Sequence, residues 1–276
     1  MSARIDAHVH HWRVARGDYD WLTPDSPIHR DFLAPDAAPH LDAAGIDGIV
    51  LVQAAATEAE TRFLLDLARQ DPRVRGVVGW IDMAAPDAPD RLAALAADPA
   101  LRAVRPMWQD IPEDDWLLRP ALDPAYRAVV ELGLGFDALA RVRHLPHLVR
   151  LIERHPDLPI VVDHGAKPDI AGGGLAEWRH AMAAVASFPH VRCKLSGLVT
   201  EAAPGATIET IRPYAEALLE LFGPSRLIFG SDWPVCTLRC DYATWWDWAN
   251  ALTSGLDRAD RDAVFGGNAA SFYGLE

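Results

Sequence analysis

Two histidines one residue apart, His8 and His10, are the first groups in the chain whose spacing suits chemistry. In an extended segment residues i and i+2 project from the same side, so both imidazoles face one way. Such a pair can grip a metal ion or a carbonyl oxygen, although the same pattern also suits plain packing. Two more ionisable groups stand where apolar runs end: His164 in Val162-Asp163-His164-Gly165, and Asp232 in Phe229-Gly230-Ser231-Asp232-Trp233-Pro234. Each has a structural alternative, His164 as a satisfied core residue and Asp232 as the cap of a following helix. The four meet at one mouth only if the runs they end are strands of a closed barrel, whose C-terminal strand ends carry the active site.

The elements that must position them alternate along the chain. Short apolar, β-branched runs at 4–8, 46–53, 74–81, 101–105, 134–137, 160–163, 191–195 and 227–230 predict buried parallel strands covered by helices. Between them lie amphipathic stretches. Thr57-Glu58-Ala59-Glu60 reads as a capping box before the stripe Phe63, Leu64, Leu67 and Ala68. Residues 144–155 repeat the pattern up to Pro156, and 207–222 end at Gly223-Pro224, with Pro213 predicting a kink or a late start. Residues 17–39 and 109–120 read as insertions after the first and fourth strands. About eight strand–helix units with no long linker predict an α/β fold, a single-domain (β/α)8 TIM barrel over 1–276. No glycine-rich dinucleotide fingerprint follows an early strand, which argues against a doubly wound sheet.

Composition fits that reading. The 276 residues are 50% hydrophobic and 24% charged, with a formal charge of −13, so no basic patch predicts a nucleic-acid partner. Three cysteines (Cys193, Cys236 and Cys240) form no disulfide framework and suit a reducing compartment; the C-x3-C spacing of the last two is a weak metal pattern. The opening MSARIDAHVHHW has no apolar h-region, and no run reaches membrane-span length, so the expectation is a cytoplasmic protein without a membrane partner.

The order H-x-H, D-H-G-x-K-P, G-S-D-W-P resembles the amidohydrolase superfamily. More narrowly it is similar to the branch of sugar-acid lactonases such as fuconolactonase, rhamnonolactonase and galactonolactonase. The segments at 5–12, 18–22, 51–54, 194–198 and 228–234 carry the likeness over nearly the whole chain. The resemblance implies that Asp232 is the general base taking a proton from the attacking water, with His8, His10 and His164 polarising the substrate carbonyl. It also implies a metal set of His8, His10, His164 and Asp232. Many superfamily members hold two metals with a further fifth-strand histidine. Here that strand ends Gly135-Phe136-Asp137, and Lys167 lies beyond the sixth strand, so a binuclear centre is not expected. One divalent ion, zinc first, or no metal at all are the remaining options; a lactone is an activated ester, so the ion can be dispensable.

Arg105, Trp108, Gln109, Trp21, Asp137, Lys167 and Trp233 are further candidate substrate contacts: Arg105 for a carbonyl or carboxylate, Trp21 and Trp233 for stacking on a sugar ring, Asp137 for a hydroxyl. Lys167 could meet an anionic substrate or pair with Asp163. His11 stands where the family motif has an aromatic residue and is given no catalytic role; His144 and the other histidines are expected at the surface. Trp245, Trp246 and Trp248 read as packing or interface residues, leaving a monomer or a homodimer. The expected reaction is opening of a small sugar-derived aldonolactone to its acid. The rivals are a metal-dependent decarboxylase on the same scaffold, which would need its metal absolutely, and a non-catalytic sugar-acid binder.

Overall fold

The computed structural model describes residues 3–275; the first two residues and the last of the expected 1–276 domain lie outside the described residues. Eight parallel strands pair in sequence order: β1 (Ile5–Val9), β2 (Gly48–Val52), β3 (Val74–Gly79), β4 (Leu101–Val104), β5 (Gly135–Ala138), β6 (Ile160–Val162), β7 (Arg192–Leu195) and β8 (Leu227–Phe229). All eight fall within a residue or two of the runs read from sequence. The seam closes just beyond the strands: Asp232 N–H donates to the His8 carbonyl and His10 N–H to the Trp233 carbonyl, both at 2.8 Å. The protein is a (β/α)8 barrel.

Between the strands run α1 (Ala34–Ala44), α2 (Glu58–Gln70), α3 (Ala88–Ala96), α4 (Asp123–Glu131), α5 (Leu145–Arg154), α6 (Leu175–Ala186) and α7 (Ile208–Phe222), followed by α8 (Tyr242–Leu252), α9 (Arg258–Asp262) and α10 (Asn268–Tyr273). Outward-facing Ile49, Leu51, Phe136, Leu195 and Phe229 belong to the continuous core under the helices. Inward-facing Ile5, Ala7, Val50, Val52, Val78, Ala103, Val161 and Ile228 fill the barrel's lower half, where α10 adds Ala269 and Tyr273 as a plug. Small and β-branched residues dominate because eight strands leave room only for side chains of that size.

Two local expectations are corrected. Thr57 does cap α2, accepting from Glu60 N–H at 3.1 Å, but Glu60 does not reach back. Its buried carboxylate instead accepts from the amides of Ala54 (2.9 Å) and Ala55 (2.5 Å), tying down the loop after β2. Pro213 does not delay α7, which starts at Ile208 and runs through the proline to Phe222. The proline is exposed, and it leaves the Glu209 carbonyl without its helical donor.

The chain is one residue longer in β1 than in β2 at one point, since Asp6 pairs with Ile49 but Val9 with Leu51. This bulge switches the inward-facing set from Ile5 and Ala7 to His8 and His10. A bulge beside an active site commonly re-aims a side chain in this way. Asp6 faces the other way and braces the ends of β1 and β8: Oδ1 accepts from Ser231 N (2.8 Å) and His8 N (3.2 Å), Oδ2 from the Tyr242 hydroxyl (3.0 Å).

Candidate active site

A cleft of about 220 Å³ opens at the C-terminal ends of the strands, with His10, His164, Asp232 and Arg105 among its lining residues. Asp232 Oδ1 is its focus, 3.2 Å from His10 Nε2, 3.7 Å from His8 Nε2 and 3.9 Å from His164 Nε2. Both Asp232 (φ 58°) and His164 (φ 54°) sit in the left-handed region, which turns each side chain back over the barrel mouth as its strand ends. Asp tolerates that conformation better than most residues, and such outliers gather at functional sites.

The remaining ring nitrogens are tied down. His10 Nδ1–H donates to the Val52 carbonyl at 2.7 Å, and its Nε2 stands in hydrogen-bond reach of Asp232 Oδ1 at 3.2 Å. His164 Nδ1 bonds the Ser196 hydroxyl at 2.8 Å. Gly197 makes this possible: with φ +61°, a Cβ there would lie 2.4 Å from His164 Nδ1. His8 is wholly buried between Lys194 Nζ, 3.1 Å from Nδ1, and Arg105 Nη1, 3.4 Å from Nε2.

Burial, Lys194 and His164 hold the His8 ring well below its usual pKa, so it is neutral. Burial also pushes His164 down to about 4. For Asp232 burial opposes the charge, but His164, His10 and Lys167 outweigh it and its carboxyl lies below the ordinary value. At neutral pH the site therefore presents one carboxylate beside the neutral imidazoles of His8 and His164. That is a proton acceptor beside groups able to bind an oxygen.

Four ligands about 2.0–2.2 Å from a tetrahedral ion stand roughly 3.3–3.6 Å apart. The spacings around Asp232 Oδ1 bracket that range, but only His8, His10 and Asp232 draw close enough together to share one small divalent ion; His164 groups instead with His8 and Asp163, so the expected four-ligand set is not assembled. The outer partners of His10 and His164 are of the kind that orient metal-binding imidazoles. His8, with an ammonium at Nδ1, is the exception.

The other expected contacts divide. Arg105, Gln109, Trp21 and Lys167 do line the cleft. Trp21 is half-exposed and fixed by its indole N–H, which donates to the Ala54 carbonyl at 2.7 Å. Lys167 stands 3.7 Å from Glu201, not beside Asp163. Trp108 is fully buried, its ring stacked on His144 with centroids 4.3 Å apart, so the loop after β4 folds onto itself. His144 is likewise buried and not a surface residue. Trp233 packs edge-on against Phe32 behind the cleft. Asp137 lies beneath the mouth, accepting from Lys194 (2.5 Å) and the Tyr273 hydroxyl (2.8 Å), so no sugar hydroxyl reaches it.

Lys194 and Asp163 are residues the sequence reading did not place in the site. Lys194 Nζ contacts Asp163 Oδ1 at 3.0 Å, and Arg105 Nη1 donates to Asp163 Oδ2 at 3.2 Å. With Asp137 and His8 they form a charged layer across the barrel, between the apolar plug and the cleft. Their inward parity carried the clue: Asp163 follows Val161, and Lys194 alternates with outward Cys193 and Leu195.

Glu60 supports the mouth through the Ala54 loop that holds Trp21. Burial raises its carboxyl from 4.5 to about 8, although the Ala55 and Ala54 amides oppose the shift. A raised folded-state pKa favours folding fully below 4.5 and loses that contribution as pH climbs through about 8. Thermal melts should therefore show wild type losing more stability than Glu60→Gln across that window. Parallel curves would show that Glu60 does not titrate there.

The amidohydrolase family profile matches residues 5–275. The chain is 45% identical to an L-fucono-1,5-lactonase of Burkholderia ambifaria, covering 100% of this chain and 97% of the relative. It is 38% identical to a second L-fucono-1,5-lactonase, from Burkholderia multivorans, over 99% and 97% of the two chains. A crystal structure of a Burkholderia multivorans amidohydrolase with bound zinc superposes with a TM-score of 0.95 at 36% identity, over 100% of both chains. With fold and relatives agreeing from end to end, the chain belongs to the amidohydrolase family.

Proposed function

We propose that the protein hydrolyses a sugar-derived lactone to its aldonic acid, with L-fucono-1,5-lactone the first substrate to test. The observation that carries this reading is the buried Asp232 carboxylate, ionised and ringed by three imidazole Nε2 atoms on the floor of a small cleft. Relatives matched over their whole length carry the same activity. A cleft of about 220 Å³ suits a ligand of roughly ten heavy atoms.

Asp232 accepts a proton as water attacks the ring carbonyl carbon. Arg105 and the imidazoles face the carbonyl oxygen and stabilise the charge it gains. The tetrahedral centre then collapses, the ring C–O bond breaks, and the proton held on Asp232 passes to the departing ring oxygen. Trp21, Met107, Leu139 and Val235 give the cleft an apolar wall for the sugar's carbon face, while Gln109 and Lys167 supply hydrogen bonds for hydroxyls. If a divalent ion such as zinc binds, His8, His10 and Asp232 would hold it, and it would add Lewis-acid polarisation of the carbonyl.

A pH-indicator screen against aldonolactones, with and without chelator, tests the reading. Proton release is expected, and it should survive chelation because Arg105 and the imidazoles reach the carbonyl themselves. Binding of lactones without turnover on any of them would defeat the hydrolase reading. Carbon dioxide evolved from an aromatic acid, with all activity lost on chelation, would replace it with a decarboxylase.

A further inference from the structure

Lys194 is buried, charged and out of reach of any substrate, yet it bonds the buried His8 ring, whose other nitrogen faces Asp232 at 3.7 Å. An ammonium has three donors and no acceptor, so the nitrogen it bonds must carry the lone pair. Lys194 Nζ is held as an ammonium between Asp137 Oδ2 (2.5 Å) and Asp163 Oδ1 (3.0 Å), with His8 Nδ1 at 3.1 Å. The alternative acceptor of an Nδ1 proton, Asp163 Oδ1, is 3.6 Å from that nitrogen, too far for a hydrogen bond. On the other side of the ring Arg105 Nη1 is 3.4 Å from Nε2, but it has a closer carboxylate acceptor in Asp163 Oδ2 at 3.2 Å.

We infer that Lys194 is a positioning residue which fixes the tautomer of His8, keeping its proton on Nε2, where it points at the cleft. The three imidazoles are then not equivalent. His10 spends Nδ1 on the Val52 carbonyl and Nε2 on Asp232, whereas His8 turns an N–H toward the place where a carbonyl oxygen would gain charge. No charge changes on the ring; only the position of its proton is set. A divalent ion that takes His8 Nε2 must displace that proton to Nδ1 and break the Lys194 bond, so metal occupancy and the Lys194 contact oppose each other. The donor role toward a lactone oxygen rests on the proposed hydrolysis; the tautomer does not.

Nitrogen-15 spectra of histidine-labelled, chelator-treated protein read the tautomer without substrate, with His8→Gln used to assign the ring. The expected spectrum shows His8 protonated at Nε2 and unprotonated at Nδ1. A proton on Nδ1 in wild type would overturn the inference, and this measurement needs no variant to fold. In Lys194→Met the His8 proton should move to Nδ1, facing Asp163, and zinc should bind about tenfold tighter, the scale on which partners behind a ligand tune metal affinity. An unchanged tautomer, or unchanged zinc affinity, in a folded Lys194→Met would refute the coupling. Absence of lactone turnover alongside an Nε2–H spectrum would defeat only the proposed reaction.

Discussion

Asp232→Asn is expected to lower kcat by about 10³-fold, within the range ascribed to a positioned general base, while leaving lactone affinity within a few-fold of wild type. Asparagine keeps the shape of the side chain and tolerates the left-handed backbone at this position (φ 58°), so the fold should survive where a bulkier or β-branched residue would not. The amide can still meet His10, but it cannot accept a proton from water. Steady-state kinetics paired with calorimetric titration separate the two effects. A non-catalytic binder would lose nothing measurable, and a variant with near-normal kcat would remove Asp232 from its role. In wild type, charging of His164 should contribute an acid limb with its midpoint at about 4, where Asp232, held below its ordinary value, is still largely ionised.

Gly197→Ala should damage the site by a different route. The residue has φ +61°, and a Cβ would lie 2.4 Å from His164 Nδ1 and 2.6 Å from its Cγ. The left-handed backbone alone costs about 1–2 kcal/mol for an L-residue. Displacing His164 adds an overpacking cost of roughly 1–3 kcal/mol and breaks its bond to Ser196. Misplacing a catalytic group by about an ångström can cost about 10²-fold in rate, so kcat should fall on that scale while the protein still folds at lower melting temperature. Gly173→Ala is the matched control: its φ is +77° and nothing lies within 4 Å of the added Cβ, so only the backbone cost should appear. Equal kcat in the two variants would show that Gly197 matters to the backbone alone.

The barrel was legible because buried parallel strands leave plain apolar runs, and because His8, His10, His164 and Asp232 each stand where such a run ends. The charged layer beneath them was harder to see. Lys194 sits in Arg-Cys-Lys-Leu, whose alternation reads equally well as polar residues facing water. Only strand order and register show that Lys194 faces the barrel axis with Asp137 and Asp163. The bulge in β1 is an offset between two strands, which neither segment reveals alone. Trp108 and Asp137 were misplaced for related reasons: a loop residue can turn to its own loop, as Trp108 does onto His144, and a strand-end carboxylate can be consumed by a neighbour, as Asp137 is by Lys194. Trp21, by contrast, is kept at the cleft by one hydrogen bond to Ala54, which no local pattern announces.

The seam between β1 and β8 gives the site an unusual dependence on the chain's extremities. His8 and His10 come from the opening dozen residues, Asp232 from the last fifty, and the main-chain bonds that shut the barrel join those same residues. Most of the polypeptide must therefore be in place before acid–base partners ever meet. On the proposed mechanism, a partly assembled chain holds imidazoles without their base and should not turn over a lactone. On that mechanism hydrolytic competence is a readout of topological completion: the contact that seals the cylinder also brings Asp232 to the histidines.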